Sequence, residues 1–136
     1  MTVVLDTGFV VALARARDER HPSARAWIET YDEDLVTTPL AVAEMDYLIG
    51  AYQGEPGQRA LWENLASGVY AVRWWADGIT EAVDIARRHP WIGLSDASLV
   101  ALAGRVRTNR ILTFDQDFRS LTTPGGEPFV MLPADA

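Results

Sequence analysis

Residues 2–14 read TVVLDTGFVVALA, and the fold follows from how this stretch is divided. Thr2 to Leu5 is a short apolar run with three β-branched residues, which reads as a buried strand. Asp6 follows at once, and the apolar stretch through Ala14 reads as a helix. A strand that runs straight into a helix is half of a βαβ unit. The same alternation recurs downstream. Pro22 opens a helix carrying Ala24, Trp27, Ile28 and Tyr31, and Leu35 to Thr37 is a second strand. Thr38 can cap and Pro39 open a helix to about Tyr52, and Gln58, Leu61, Trp62 and Leu65 predict another that Gly68 stops. Val69 to Trp75 reads as a strand, and Ile79, Ala82, Val83 and Ala86 as a helix ending at His89-Pro90. Ser95-Asp96 reads as the cap of a helix with Leu99, Leu102, Ala103 and Val106 on one face. Arg110 to Phe114 and Phe129 to Leu132 complete the strands. The expected class is α/β: a three-layer sandwich with a mostly parallel central sheet and helices on both faces. No repeat or long linker divides the chain, so one domain over residues 1–136 is expected.

Composition narrows the chemistry. The chain has no cysteine, which excludes disulfide frameworks, zinc ribbons and thiol nucleophiles, and makes a reducing cytoplasm the expected compartment. No apolar run approaches the ~20 residues of a membrane span, and the N-terminus lacks the basic lead of a signal peptide. All twelve basic residues are arginine. Without lysine there is no Walker phosphate loop, Schiff base or pyridoxal attachment. Receiver and haloacid-dehalogenase-type phosphotransfer domains, which need a lysine beside the aspartyl phosphate, fall away for the same reason. The two histidines, His21 and His89, each precede a proline near a helix end, which leaves little for a histidine-based ribonuclease or a serine triad. The net charge of -7 runs against a polyanionic partner unless acids converge on one site, where bound cations would cancel their share.

Four acids meet that condition. In an open parallel sheet, ligands bind beyond the carboxyl ends of the strands. Asp6 and Asp115 each follow a strand, and Asp96 sits where a helix begins, so all three fall on that rim. Glu44 comes from the helical wheel: at about 100° per residue it lies inside the apolar arc of Leu40, Ala41, Met45 and Leu48. A carboxylate there needs a positive partner, arginine or metal. Taken singly, Asp6 and Asp96 also suit helix caps, and Asp115 and Asp117 a turn. Asp46, Asp18 and the Asp32-Glu33-Asp34 cluster read as solvated surface or turn, with Asp117 a reserve ligand beside Asp115. Trp74 and Trp75, as consecutive strand residues, are expected to face opposite sides as packing.

These motifs resemble PIN-domain ribonucleases, and within them the VapC toxins of type II toxin-antitoxin (VapBC) pairs. VVLDT at Val3 to Thr7, AVAEMDYLI at Ala41 to Ile49, GLSDASLVALA at Gly93 to Ala103 and ILTFDQDF at Ile111 to Phe118 match the family's acidic motifs in order. GGEPFVMLP at Gly125 to Pro133 is similar to its closing strand. The resemblance puts the acidic residues on Asp6, Glu44, Asp96 and Asp115, with Thr7 and Thr113 as orienting hydroxyls. Gly104 stands where the family often has a strong helix former, which predicts a shorter C-terminal half for that helix.

The resemblance implies an endoribonuclease in which the four carboxylates hold one or two Mg2+ ions, with Mn2+ as a substitute. It implies a homodimer, neutralised by a small VapB-like antitoxin that occupies the acidic groove, with DNA contacted only through that antitoxin and no membrane partner. The second reading is a non-catalytic PIN-like module whose acidic pocket docks a basic peptide.

Overall fold

A computed structural model describes the whole chain, Met1–Ala136. Five strands form one sheet: β1 (Thr2–Leu5), β2 (Asp34–Thr37), β3 (Tyr70–Val72), β4 (Arg110–Leu112) and β5 (Val130–Leu132). Their order is β3-β2-β1-β4-β5, and every pairing is parallel. Such a sheet has to be covered on both faces, and its central strand is accordingly apolar from Val3 to Leu5. Val3, Val4 and Leu5 are fully buried, as are Ile111 and Leu112 beside them.

Five helices provide the cover: α1 (Thr7–Ala14), α2 (His21–Thr30), α3 (Pro39–Ala66), α4 (Gly78–Arg88) and α5 (Gly93–Val106). From β1 the chain steps outward to β2 and β3 through α1, α2 and α3. It then reverses, reaching β4 on the far side of β1 through α4 and α5. Right-handed crossovers in opposite directions put the two helix sets on opposite faces. α1 lies against α2 and α3, α4 lies against α5, and the two sets meet where α3 touches α5 beside the Thr38–Ser98 hydrogen bond. The expected α/β/α sandwich is therefore present, and its sheet is fully parallel.

Several local expectations change. β3 ends at Val72 rather than Trp75. It is an edge strand with β2 as its only neighbour, and β2 stops at Thr37; after Arg73 N donates to Thr37 O at 2.9 Å no partner remains. Trp74 and Trp75 thus lie in a loop with ring centroids 5.1 Å apart, instead of facing opposite sides of a sheet. β4 likewise stops at Leu112, two residues short of Phe114.

The two helices expected between Pro39 and Leu65 are the arms of α3, broken where Gly54 takes φ 66, ψ -163. This left-handed conformation suits glycine, and Pro56 follows it. The second arm folds back on the first, so that Asp46 Oδ1 accepts from Trp62 Nε1 at 2.6 Å and Gln58 Nε2 at 3.4 Å. Asp46 is a clamp within the hairpin and not free surface.

α5 runs through Gly104 to Val106 without shortening. A Cβ at Gly104 would lie 2.6 Å from Pro124 Cγ, so glycine here admits a close neighbour rather than ending the helix. Gly104→Ala gains ~1 kcal/mol of helix propensity but overpacks Pro124 by ~1–3 kcal/mol. A net loss of stability is expected in denaturant melts, and a gain would mean that the Pro124 loop yields freely.

Candidate functional site

The strand order reverses between β1 and β4, the topological switch point where open α/β sheets bind ligands. Asp6 leaves the end of β1 there, and its backbone N–H donates to Leu112 O at 3.0 Å. Its side chain is only 4% exposed. Oδ1 accepts from Thr7 N at 2.8 Å, and Oδ2 from Thr113 Oγ1 at 2.6 Å. The same Thr113 hydroxyl accepts from Asp115 N at 3.0 Å. One buried threonine therefore ties the ends of β1 and β4 together and fixes two acids relative to each other. Thr7 Oγ1 donates to Ala41 O at 3.3 Å, joining α1 to α3 rather than orienting a carboxylate.

Asp115 starts a short 3-10 turn, Gln116–Ser120, where its Oδ1 accepts from Asp117 N at 2.9 Å. Asp96 lies in the first turn of α5 and makes no cap: the chain enters through Gly93 at φ 74, and Ile92 holds the cap position with no side-chain bond. Glu44 departs furthest from expectation. The buried stripe of α3 is Ala41, Met45 and Ile49, and Glu44 is exposed at its margin. Leu40 and Leu48 are only half-buried, so the apolar arc drawn from sequence is wider than the contact that α1 and α5 make. Glu44 belongs to the rim without being embedded.

Electrostatics nevertheless links these acids. Burial pushes the Asp96 carboxyl up to about 8, and Asp6, Asp115, Glu44 and Asp117 raise it further. Asp6 is pushed up to about 6, first by burial and then by Asp115 and Glu44, while the Thr113 and Thr7 hydrogen bonds pull it back. None of the molecule's ion pairs involves these carboxylates. As they stand, no three of them meet at metal-ligating spacing. They share one field without forming a closed cage. The donor set suits a hard divalent cation in kind: it is all oxygen, mutually repelling and unopposed by arginine. The largest cavity, about 600 Å3, lies elsewhere, between β2, β3 and the end of α5, with Trp74, Trp75 and Arg105 in its wall.

The family model of the PIN domain matches residues 3–123, a span that takes in all four acids. The chain belongs to the PIN-domain family. Ribonuclease VapC26 of Mycobacterium tuberculosis is 33% identical over 135 residues, 96% of this chain and all of that protein. A crystal structure of Mycobacterium tuberculosis VapC20, a sarcin-ricin loop cleaving toxin, superposes with TM-score 0.80 at 25% identity, covering 87% of this chain and 93% of that one. A structure of FitAB bound to an IR36 DNA fragment shares the fold, with TM-score 0.62 at 17% identity over 97% and 94% of the two chains. The family match, VapC26 and VapC20 bear out the PIN-domain ribonuclease toxin expected from the sequence and do not favour the docking module. PIN-domain ribonucleases generally use divalent metals. No helix of the chain is long and apolar enough to cross a membrane.

Two groups escaped the sequence reading of this PIN domain. Ser98, fully buried, shares a 2.8 Å hydrogen bond with Thr38 Oγ1 and donates to Ser95 O at 2.6 Å, pinning the first turn of α5 to the start of α3. A serine two residues after Asp96 was the available signal. Asp18, read as surface or turn, does lie in the α1–α2 turn, but it also grips Arg20, and this contact holds its carboxyl down at about 2.

Thr113→Val removes the hydroxyl that serves both Asp6 and Asp115. Loss of such a supporting bond is expected to weaken divalent-ion affinity ~10–100-fold, with Thr113→Ser close to wild type. Titration of cleavage against Mg2+ measures it, and an unshifted midpoint for the valine variant would remove Thr113 from the site.

Proposed function

We propose that this chain is a divalent-metal-dependent endoribonuclease, the toxin of a toxin-antitoxin pair, folded as one domain over residues 1–136. The observation that carries the reading is a buried Asp6, tied through Thr113 to Asp115 and sharing a field with Asp96 and Glu44, with no ion pair to any of them. A carboxylate group this repulsive destabilises the fold unless it has a use for positive charge.

Asp6 and Asp96 would hold the ion most directly, with Glu44 and Asp115 ligating directly or through water and Asp117 in reserve. A bound Mg2+ or Mn2+ ion supplies the charge that acidifies water and steadies the phosphate oxygens during in-line attack. The protein's share is placement. Thr113 and the Thr7 amide leave Asp6 no rotational freedom, and the Ser98–Thr38 bond fixes the turn that carries Asp96. Glu44, exposed on α3, can turn inward at little packing cost.

The same acidic edge suits an arginine or lysine from the C-terminal segment of a small VapB-like antitoxin, which would block the groove by charge. We further place the protein in the cytoplasm as a homodimer that reaches DNA only through that antitoxin.

The test is to map RNA ends after expression of the wild type beside Asp96→Asn, and in vitro with Mg2+, Mn2+ or chelator. Ribosomal RNA is the first substrate to try, given the activity stated for VapC20. New ends that need metal and Asp96 are expected. Absence of metal-dependent cleavage of any cellular RNA would overturn the enzyme in favour of the docking module.

A further inference from the structure

One arginine, Arg20, is held over Phe114, the chain neighbour of Thr113 and Asp115, without pairing to any acid of the site. Asp18 Oδ1 accepts from Arg20 backbone N at 2.8 Å and from Arg20 Nε at 3.0 Å, and Asp18 Oδ2 from Nη2 at 3.0 Å. The guanidinium lies over the Phe114 ring, with Cζ 5.3 Å from the centroid. Phe114 sits between Thr113, which holds Asp6, and Asp115, and it stacks on the buried Phe9 at 5.8 Å. His21 Nδ1 meets Ala12 O at 2.9 Å and anchors the end of the same loop. Arg20 is thus fixed from below by an aromatic platform and from one side by a carboxylate.

Helix geometry does not account for this arrangement. The pairs Arg25–Glu29, Arg59–Glu55 and Arg88–Asp84 are neighbours one helical turn apart, which helix geometry supplies unaided. Arg20 and Asp18 pair within a loop, where no helical spacing brings them together. The acids acting on Arg20 are its loop neighbours Asp18 and Glu19, and the charges that act most on Asp6 and Asp96 are acidic, so Arg20 leaves the site's own charge unopposed. Asp18 occupies the Nε–Nη2 edge of the guanidinium. The Nη1–Nη2 edge has no partner, and the side chain is 44% exposed. Two parallel N–H donors at that spacing match two oxygens of a phosphate.

Building on the nuclease reading, we propose that the free edge of Arg20 binds an RNA backbone phosphate flanking the scissile one. Asp18 is then a positioning residue and Phe114 the platform. A flanking phosphate fits better than the scissile one, because Arg20 leaves the acids' own charge intact for metal.

The test measures affinity for a labelled, mixed-sequence, single-stranded RNA oligomer in Mg2+, with cleavage blocked by Asp96→Asn. In that background Arg20→Met keeps the stem over Phe114 and removes the fork. It should weaken binding about 10-fold and make the slope of log affinity on log salt shallower by about 0.7, the share of one single-strand phosphate. Arg20→Lys should keep the slope and lose part of the affinity. In the cleaving protein, Asp18→Asn should raise KM and leave kcat unchanged. A merely structural Arg20 would lower Tm in the methionine variant without touching the salt slope. Equal affinity and slope for Arg20→Met and its parent, or no RNA binding by the parent, overturns the assignment. A wild type that cuts RNA while Arg20→Met matches its parent sinks only Arg20; a wild type that cuts nothing sinks the nuclease.

Discussion

Asp6→Asn leaves the fold intact and abolishes metal-dependent RNA cleavage, a loss on the order of 10³-fold or more if the ion is displaced from its most buried ligand. Asparagine keeps the shape and the Oδ1 acceptor for Thr7 N at 2.8 Å. It puts an amide donor where Oδ2 receives the Thr113 hydroxyl, so that hydroxyl must rotate to accept instead. Because it also accepts from Asp115 N, its two lone pairs are then both used and its own proton is left to find water. Removing a desolvated charge offsets that loss, so Tm at pH 8 should equal or exceed that of the wild type. Thermal melts and an RNA assay at saturating Mg2+ separate the two effects. Wild-type turnover by this variant would end the metal-carboxylate proposal.

Metal-free protein should be more stable at pH 5 than at pH 8.5, by about 5 °C in Tm. Asp96 at about 8 and Asp6 at about 6 both lie above the ordinary 3.8, so between pH 4 and 8 the folded chain holds protons that the unfolded chain has released. Stability therefore falls as pH rises through that window. Asp18 and Asp135, each held at about 2 by an arginine, act oppositely and lose their contribution only as pH drops below about 4. Mg2+ or Mn2+ should raise Tm at pH 8.5 far more than at pH 5, because ion and proton compete for the same carboxylates. Asp96→Asn should flatten the metal-free profile. A wild-type profile already flat from pH 5 to 8.5 would show that these acids do not share a field.

Much of the site was legible because its elements are local. TVVLD announces a strand and then an acid, RILTFD does the same, and Thr38-Pro39 announces a helix start, which α3 confirms with Thr38 Oγ1 accepting from Ala41 N at 3.2 Å. Residues whose role depends on a distant partner were not legible. Asp46 looked solvated because Trp62 meets it only after Gly54 turns the chain back. Glu44 looked embedded because a helical wheel shows which residues share a side but not how wide the neighbouring helices are. Asp18 looked like surface or turn until the fold set Arg20 over Phe114 and against its carboxylate.

The sequence by itself determined the strand-helix alternation, the absence of lysine and cysteine chemistry, and which acids leave the ends of strands. Each of these is written in neighbouring residues and in composition. Only the tertiary structure decided that β1 and β4 lie side by side, which brings Thr113 to Asp6 across 107 residues of chain. Strand order is set by which apolar faces bury one another when the whole sheet closes, and no local periodicity records that choice. The carboxylate pair at the switch point is thus a long-range product of packing, assembled from acids that the sequence places one at a time.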